Sequence, residues 1–235
     1  RVYDKTVCDG YHFMATKIPK VYGKFYKITD RRTLMYKAVM QSNTMMSAKL
    51  LDTINEYKPD AIIMCHPFVT TMISKLRRQH KIDVKAISLI TDYDAHRTYI
   101  VPYVDAYVLA EPDMATKLID EYGVDKSIIY PLGIPIFDRF TEAFDESLAC
   151  SLPMAIYSAF PGQERDNAEF LLNKGAAIML RKKTGADDIV NLVKDKEKLD
   201  EMKEKCRELH RPDSAEKIFR LAQKLCNDSK GGNDK

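Results

Sequence analysis

Four short apolar runs, separated by stretches of helical character, limit what this chain can fold into more than any other feature. The runs are Ala61–Cys65, Val84–Ile90, Ala106–Ala110 and Ile128–Tyr130. Each is strand-sized and nearly continuous in apolar character, as a strand covered on both faces requires. Helical stretches at 44–57, 69–80 and 113–122 alternate with them. This alternation predicts a parallel, doubly wound α/β sheet. His66, Asp92, Glu111 and Gly133 fall just past the strand ends. Open parallel sheets bind ligands outside the carboxyl ends of their strands, so these positions are candidates for a site.

The character of the chain changes at about Glu146. Residues 152–157 read as a strand and Phe160–Glu164 as a turn into a helix that Gly175 closes; 176–180 read as another strand. Asp187–Leu209 and Ser214–Leu225 read as amphipathic helices separated by Arg211-Pro212, and 227–235 as a polar, disordered tail. A chain of 235 residues holds one large core or two small ones. The expected division is 1–145, 146–226 and the tail.

A net charge of +3 is too mild to demand nucleic acid, which is not expected as a partner. The distribution of charge says more. Between Lys17 and Lys37 seven basic residues face a single acid, Asp30, with Tyr22, Phe25, Tyr26 and Tyr36 threaded among them. Lysines with interfacial aromatics suit an anionic lipid surface; a solvated helix face with a few core aromatics fits the same pattern. No apolar run approaches the roughly 20 residues of a membrane-spanning helix. Five cysteines, an odd number without a C-x-x-C pair, argue against a disulfide framework or a zinc site. With Arg1–Asp4 lacking a secretory pattern, a reducing cytosol is the expected compartment.

Pro161-Gly162-Gln163-Glu164 stands at a helix start, where bare amide protons and the positive dipole end favour a diphosphate. Gln163, Glu164 and Asn167 in the first turn offer paired donors and acceptors to sugar hydroxyls. Pro-Gly turns also open helices for purely structural reasons. Glu146 can serve as a dipole partner or accept two ribose hydroxyls. Asp92-Tyr93-Asp94 after a strand has a rival reading, as an acid-x-acid ligand for a divalent cation.

The run Pro59–Pro67, then Ile90-Thr91-Asp92, Asp105–Val108 and Gly133–Ile136, resembles the diacylglycerol glycosyltransferases and monogalactosyldiacylglycerol synthases. So do Glu146–Met154, Pro161–Asn167 and Asn173–Ala176. The wider clan includes the peptidoglycan N-acetylglucosaminyltransferase, and the resemblance runs from Val2 to about Leu225. It implies two Rossmann-like domains of the GT-B type, with the second one incomplete. It implies that Glu146 holds the ribose of a UDP-sugar, with Gly162, Gln163, Glu164 and Asn167 at the donor, and that His66, Pro67 and Thr91 line the acceptor side. Asp92 and His96 remain as acid/base candidates; capping by Asp92 and a surface-loop position for His96 are the plainer readings.

Family members open with a strand and a Gly-rich loop ending in His, and carry a Gly-Gly-x-Thr element before the glutamate. Here the chain opens at what resembles the second strand, Arg1–Asp4, and Phe140–Asp145 runs directly into Glu146. Segments of both domains are therefore expected to be missing. The implied activity is inverting transfer of a hexose from a UDP-sugar to diacylglycerol by a peripheral enzyme on the cytosolic leaflet, without a metal or other cofactor. Transfer of N-acetylglucosamine to a lipid-linked muramoyl peptide is the alternative within the clan. A truncated, non-catalytic module that binds membrane surfaces or nucleotide is the alternative outside it.

Overall fold

The computed structural model describes residues 19–30, 34, 36–37, 47–135, 147–148, 150–181 and 183–230. In chain order its main elements are α1 (Pro19–Thr29), α2 (Ser47–Tyr57), β1 (Ala61–Met64), α3 (Pro67–Arg78), β2 (Lys85–Leu89), β3 (Ala106–Val108), α4 (Met114–Asp120) and β4 (Ile129–Tyr130). There follow β5 (Met154–Ile156), α5 (Gln163–Asn173), β6 (Ala177–Met179), α6 (Gly185–Lys194), α7 (Lys196–Leu209) and α8 (Ser214–Lys230). Contacts divide the chain into two compact units, one of Thr29–Ile136 with Arg211–Lys235, the other of Arg1–Ile28 with Phe137–His210.

In the first of these units β1, β2, β3 and β4 pair in parallel, in the order of the chain. Met64 lies opposite Ser88, Ser88 opposite Tyr107, and Val108 opposite Tyr130. In-register neighbours share a face. Met64, Ala86 and Tyr107 therefore look one way, while Ile87, Leu89, Ala106 and Val108 look the other. Helices α2 and α3 cover the first face through Ile54, Ile73 and Leu76, and α4 covers it through Met114 and Leu118. Right-handed crossovers between strands in sequential order place their helices on one face only. The opposite face is covered by α8, whose Ile218, Leu221 and Ala222 meet Ile87, Leu89, Ala106 and Val108. Asp105, just before β3, accepts the Ala86 amide proton at 2.8 Å and pairs with Arg77 and, at 3.3 Å, Lys85. Burial works against its charge, but the Ala86 amide and the Arg77 guanidinium outweigh it and hold the carboxyl below its ordinary pKa.

In the other unit β5 and β6 pair in parallel with α5 between them in sequence, a β–α–β arrangement. Its core joins Ala176, Cys206 and Leu209 to Met154, Phe170 and Leu171. Gly175 closes α5 as expected: at φ +76° it donates its N–H to the Leu172 carbonyl at 3.1 Å, and Ala176 donates to Leu171 at 3.0 Å.

The parallel α/β reading holds, but the described strands run in sequential order without the reversal that defines a doubly wound sheet, and three further corrections apply. The helix after Arg211 covers the four-stranded sheet and does not continue the second half of the chain. Asp187–Leu209 is two helices rather than one. The Asp195 carboxylate accepts the Lys198 N–H at 3.1 Å, and this local cap starts α7 at the expense of a continuous helix. The expected tail is helical through Lys230, carried on by α8. Arg1–Asp4, Lys17, Arg31, Arg32, the junction 140–146 and residues 231–235 lie outside the described residues.

Candidate functional site

From β1 the chain passes through Cys65 and His66 into α3. His66 is in extended conformation and caps that helix, its Nδ1 accepting the Phe68 N–H at 3.2 Å. Its carbonyl accepts the Thr70 amide proton and hydroxyl, each at 3.1 Å. Pro67 takes the first helical position, where no N–H is needed. Although His66 is exposed, partial desolvation of its ring lowers its pKa below 6.5, and the negative charge of Asp92 works in the opposite direction. That influence ties the exit of β1 to the exit of β2.

After β2 the chain runs through Thr91 and Asp92, the latter only 6% exposed. It then folds back through a single 3-10 turn, Arg97–Tyr99. The turn returns the Tyr99 hydroxyl to the strand ends, where it donates to the Cys65 carbonyl at 3.5 Å and comes within the influence of the Thr91 side chain. Burial, reinforced by Asp92, pushes the Tyr99 pKa up to about 12. Four residues singled out in the sequence, His66, Pro67, Thr91 and Asp92, thus gather at the carboxyl ends of two adjacent strands.

His96 is not a surface-loop residue. It is buried, with Nδ1 at 2.8 Å from the Thr98 hydroxyl and Nε2 at 3.5 Å from Thr29 Oγ1 and 3.8 Å from Asp30 Oδ1. Nδ1 also accepts the Thr98 N–H at 3.3 Å, which caps the 3-10 turn. Asp30 anchors the same loop. Its carboxylate accepts the Arg97 N–H at 2.8 Å and the Tyr122 hydroxyl at 3.0 Å, and Lys117 Nζ lies 3.7 Å away. The Arg97 guanidinium sits 4.3 Å over the Tyr122 ring. Burial, then Asp30, raises the Tyr122 pKa. Lys117 bonds both Asp94 oxygens, at 2.8 and 2.9 Å, and these contacts outweigh its burial to raise its pKa. Asp94 is thus engaged away from the cation site its spacing suggested. Among the described residues no three His, Cys, Asp or Glu side chains converge to hold a metal ion.

Tyr99, Lys117 and Tyr122 were not singled out in the sequence, and Asp30 was noted there without a site role. The one available signal was Asp30 itself, a lone acid in a basic run.

Past the ends of β3 and β4, Glu111 and Gly133 serve the return of the chain. Glu111 pairs with Arg211 at 2.5 Å. Gly133 adopts φ +93° and donates its N–H to the Leu109 carbonyl at 3.0 Å. A Cβ there would collide with the Arg211 side chain and the Ser214 hydroxyl.

The residues expected at the donor lie in the other unit. Gly162 is buried, at φ 112° and ψ −140°, a conformation open essentially to glycine. Its carbonyl accepts the Arg165 and Asp166 amide protons at 3.0 and 3.1 Å, which starts α5. Gln163, Glu164 and Asn167 follow in the first turns, with Glu164 and Asp166 matching the helix dipole. Gly23 of α1 lies so close to Pro161 that an added Cβ would come within 2.7 Å of the proline Cβ. Glu146 lies outside the described residues.

Comparison with known proteins gives two results. The family model for monogalactosyldiacylglycerol (MGDG) synthase matches residues 1–136. A processive diacylglycerol beta-glucosyltransferase of Staphylococcus epidermidis is 37% identical over 98 residues, which are 42% of this chain and 24% of that protein. The protein of the same description from Staphylococcus carnosus is 32% identical over 97 residues, 41% of this chain and 24% of its own. The matched stretch spans about a quarter of the length of these curated relatives. The family match, in contrast, takes in more than half of this chain, including the β1 and β2 exits and all four strands of the sheet. The chain belongs to the monogalactosyldiacylglycerol synthase family.

Proposed function

We propose that this chain takes part in transferring a hexose from a UDP-sugar to diacylglycerol at a membrane surface, with inversion at the anomeric carbon. The observation that carries the reading is the meeting of His66, Thr91 and Asp92 at two adjacent strand ends, within the stretch that matches the family. In this mechanism the acceptor oxygen attacks the anomeric carbon as the bond to the UDP phosphate breaks. Asp92 takes the proton of the acceptor hydroxyl. In the neutral His66 ring Nδ1 is an acceptor from Phe68, so the proton sits on Nε2, which donates to the acceptor. The donor set is Glu146, Gly162, Gln163, Glu164 and Asn167, with the amides that open α5 facing the diphosphate. His96 holds the loop and takes no part in proton transfer. No cofactor beyond the sugar nucleotide is invoked.

The surface reading draws on α1. Val21 and Ile28 are exposed on it beside Lys24 and Lys27, an apolar and basic mixture suited to anionic headgroups. No described helix is long and apolar enough to cross a membrane. A peripheral position on the cytosolic leaflet completes the proposal.

Calorimetry with UDP and radiolabelled transfer from UDP-hexose to diacylglycerol in mixed micelles test it. Asp92→Asn is expected to retain UDP binding and lose transfer by about 10²–10⁴-fold. An Asp92→Asn variant as active as the unsubstituted chain would refute the assignment. Flotation with anionic and neutral vesicles tests the surface role separately.

A further inference from the structure

We propose that Tyr99 is a positioning residue for His66 and Asp92, and that the loop from Thr91 to Tyr99 is a fixed strap across the exits of β1 and β2. The proposal deepens the function proposed above and rests on it for its catalytic readout alone. The Tyr99 side chain spans the two exits: its hydroxyl donates to the Cys65 carbonyl after β1 at 3.5 Å, and its ring shares a cluster with Ile90, directly before Thr91, whose side chain also acts on the phenol. A phenol has one proton to donate and can still accept, so one group can bridge both. Its ring is 4% exposed and belongs to the cluster of Ile90, Ala95, Tyr107 and Leu109, which fixes where the hydroxyl points.

The turn that presents Tyr99 is pinned from outside. Arg97 donates its N–H to Asp30 at 2.8 Å, His96 caps Thr98, and the Tyr122 hydroxyl bonds the Ala95 carbonyl at 3.0 Å. A strap held at both ends sets the distance between the strand exits before any acceptor arrives, and small errors in such placement cost heavily in rate. Asp92 follows directly on Thr91, and His66 directly on Cys65. Tyr99 therefore acts through the neighbours of both reacting side chains. Among the described residues, His66 feels the charge of Asp92 and meets the Phe68 ring, whose centroid is 4.7 Å from that of the imidazole.

The test is an NMR pH titration of the His66 ring in the full chain, its signal assigned by its loss in His66→Gln. Tyr99→Phe is expected to lower the His66 midpoint by about half a pH unit, in the direction given by Asp92→Asn, because the Asp92 charge is no longer held in place. Thr91→Val removes the bridge from the other side, leaves the ring untouched, and is expected to do the same. In transfer assays Tyr99→Phe is expected to lower kcat by roughly 10–100-fold while KM for the UDP-sugar stays within about twofold. A His66 midpoint unchanged in either variant overturns the positioning role, whatever the rates. If the unsubstituted chain transfers no sugar, the function proposed above fails, and the displacement of the His66 midpoint still decides the role of Tyr99.

Discussion

In His66 one side chain combines a structural and a chemical duty, and the two constrain each other. Its Nδ1 holds the Phe68 amide proton, so a second proton on the ring would remove the cap and set a cation at the positive end of α3. Partial desolvation disfavours that cation as well, and the folded-state pKa lies below 6.5. Just below pH 6.5 the unfolded chain then binds more protons than the folded one. The contribution of His66 to stability is level above that pH and declines as pH falls through it toward the folded value. His66→Ala is expected to cost about 1 kcal/mol at neutral pH through loss of the cap. The gap between its urea midpoint and that of the unsubstituted chain is expected to narrow as the pH is lowered; a gap that widens contradicts the sign. His66, Thr91 and Asp92 were legible in the sequence because apolar runs that stop at polar residues mark strand exits. Asp30 and the buried setting of His96 were not. The partners Asp30 and Arg97 stand 67 residues apart, and neither periodicity nor local propensity carries such a pairing.

Among the elements, α8 was legible as an amphipathic helix, but its destination was not. An apolar stripe states that something must be covered without stating which sheet offers the surface. What fixes the destination is the corner before α8. Gly133 leaves room for Arg211 and Ser214, Arg211 pairs with the buried Glu111, and the Ser214 hydroxyl bonds the Arg211 carbonyl at 2.6 Å. Gly133→Ala meets both a positive φ and a steric clash. It is expected to cost about 2–3 kcal/mol in urea unfolding. A loss below about 0.5 kcal/mol would mean that the corner yields freely. The break at Asp195 shows the opposite situation, a local signal that periodicity overran. The apolar spacing continues through the residue, and only the capping chemistry of aspartate marks the boundary.

At the scale of the molecule, the four strands and their order along the chain account for most of what the sequence disclosed. Their sequential pairing could not be read from it, because strand order in a parallel sheet depends on packing between remote segments. That order leaves Ile87, Leu89, Ala106 and Val108 with no cover from the crossover helices, and α8 alone meets them among the clusters described. Ending the chain at Arg211 is therefore expected to yield protein that binds a hydrophobic dye strongly and aggregates. A soluble, cooperatively unfolding product would show that α8 is dispensable. There is a consequence for synthesis on the ribosome. The sheet emerges early, yet its last covering segment follows only after residues 137–210 have been translated, so an oily patch waits through the making of another body. Cells that make this chain have reason to shield the nascent polypeptide with a holding chaperone until the closing helix arrives.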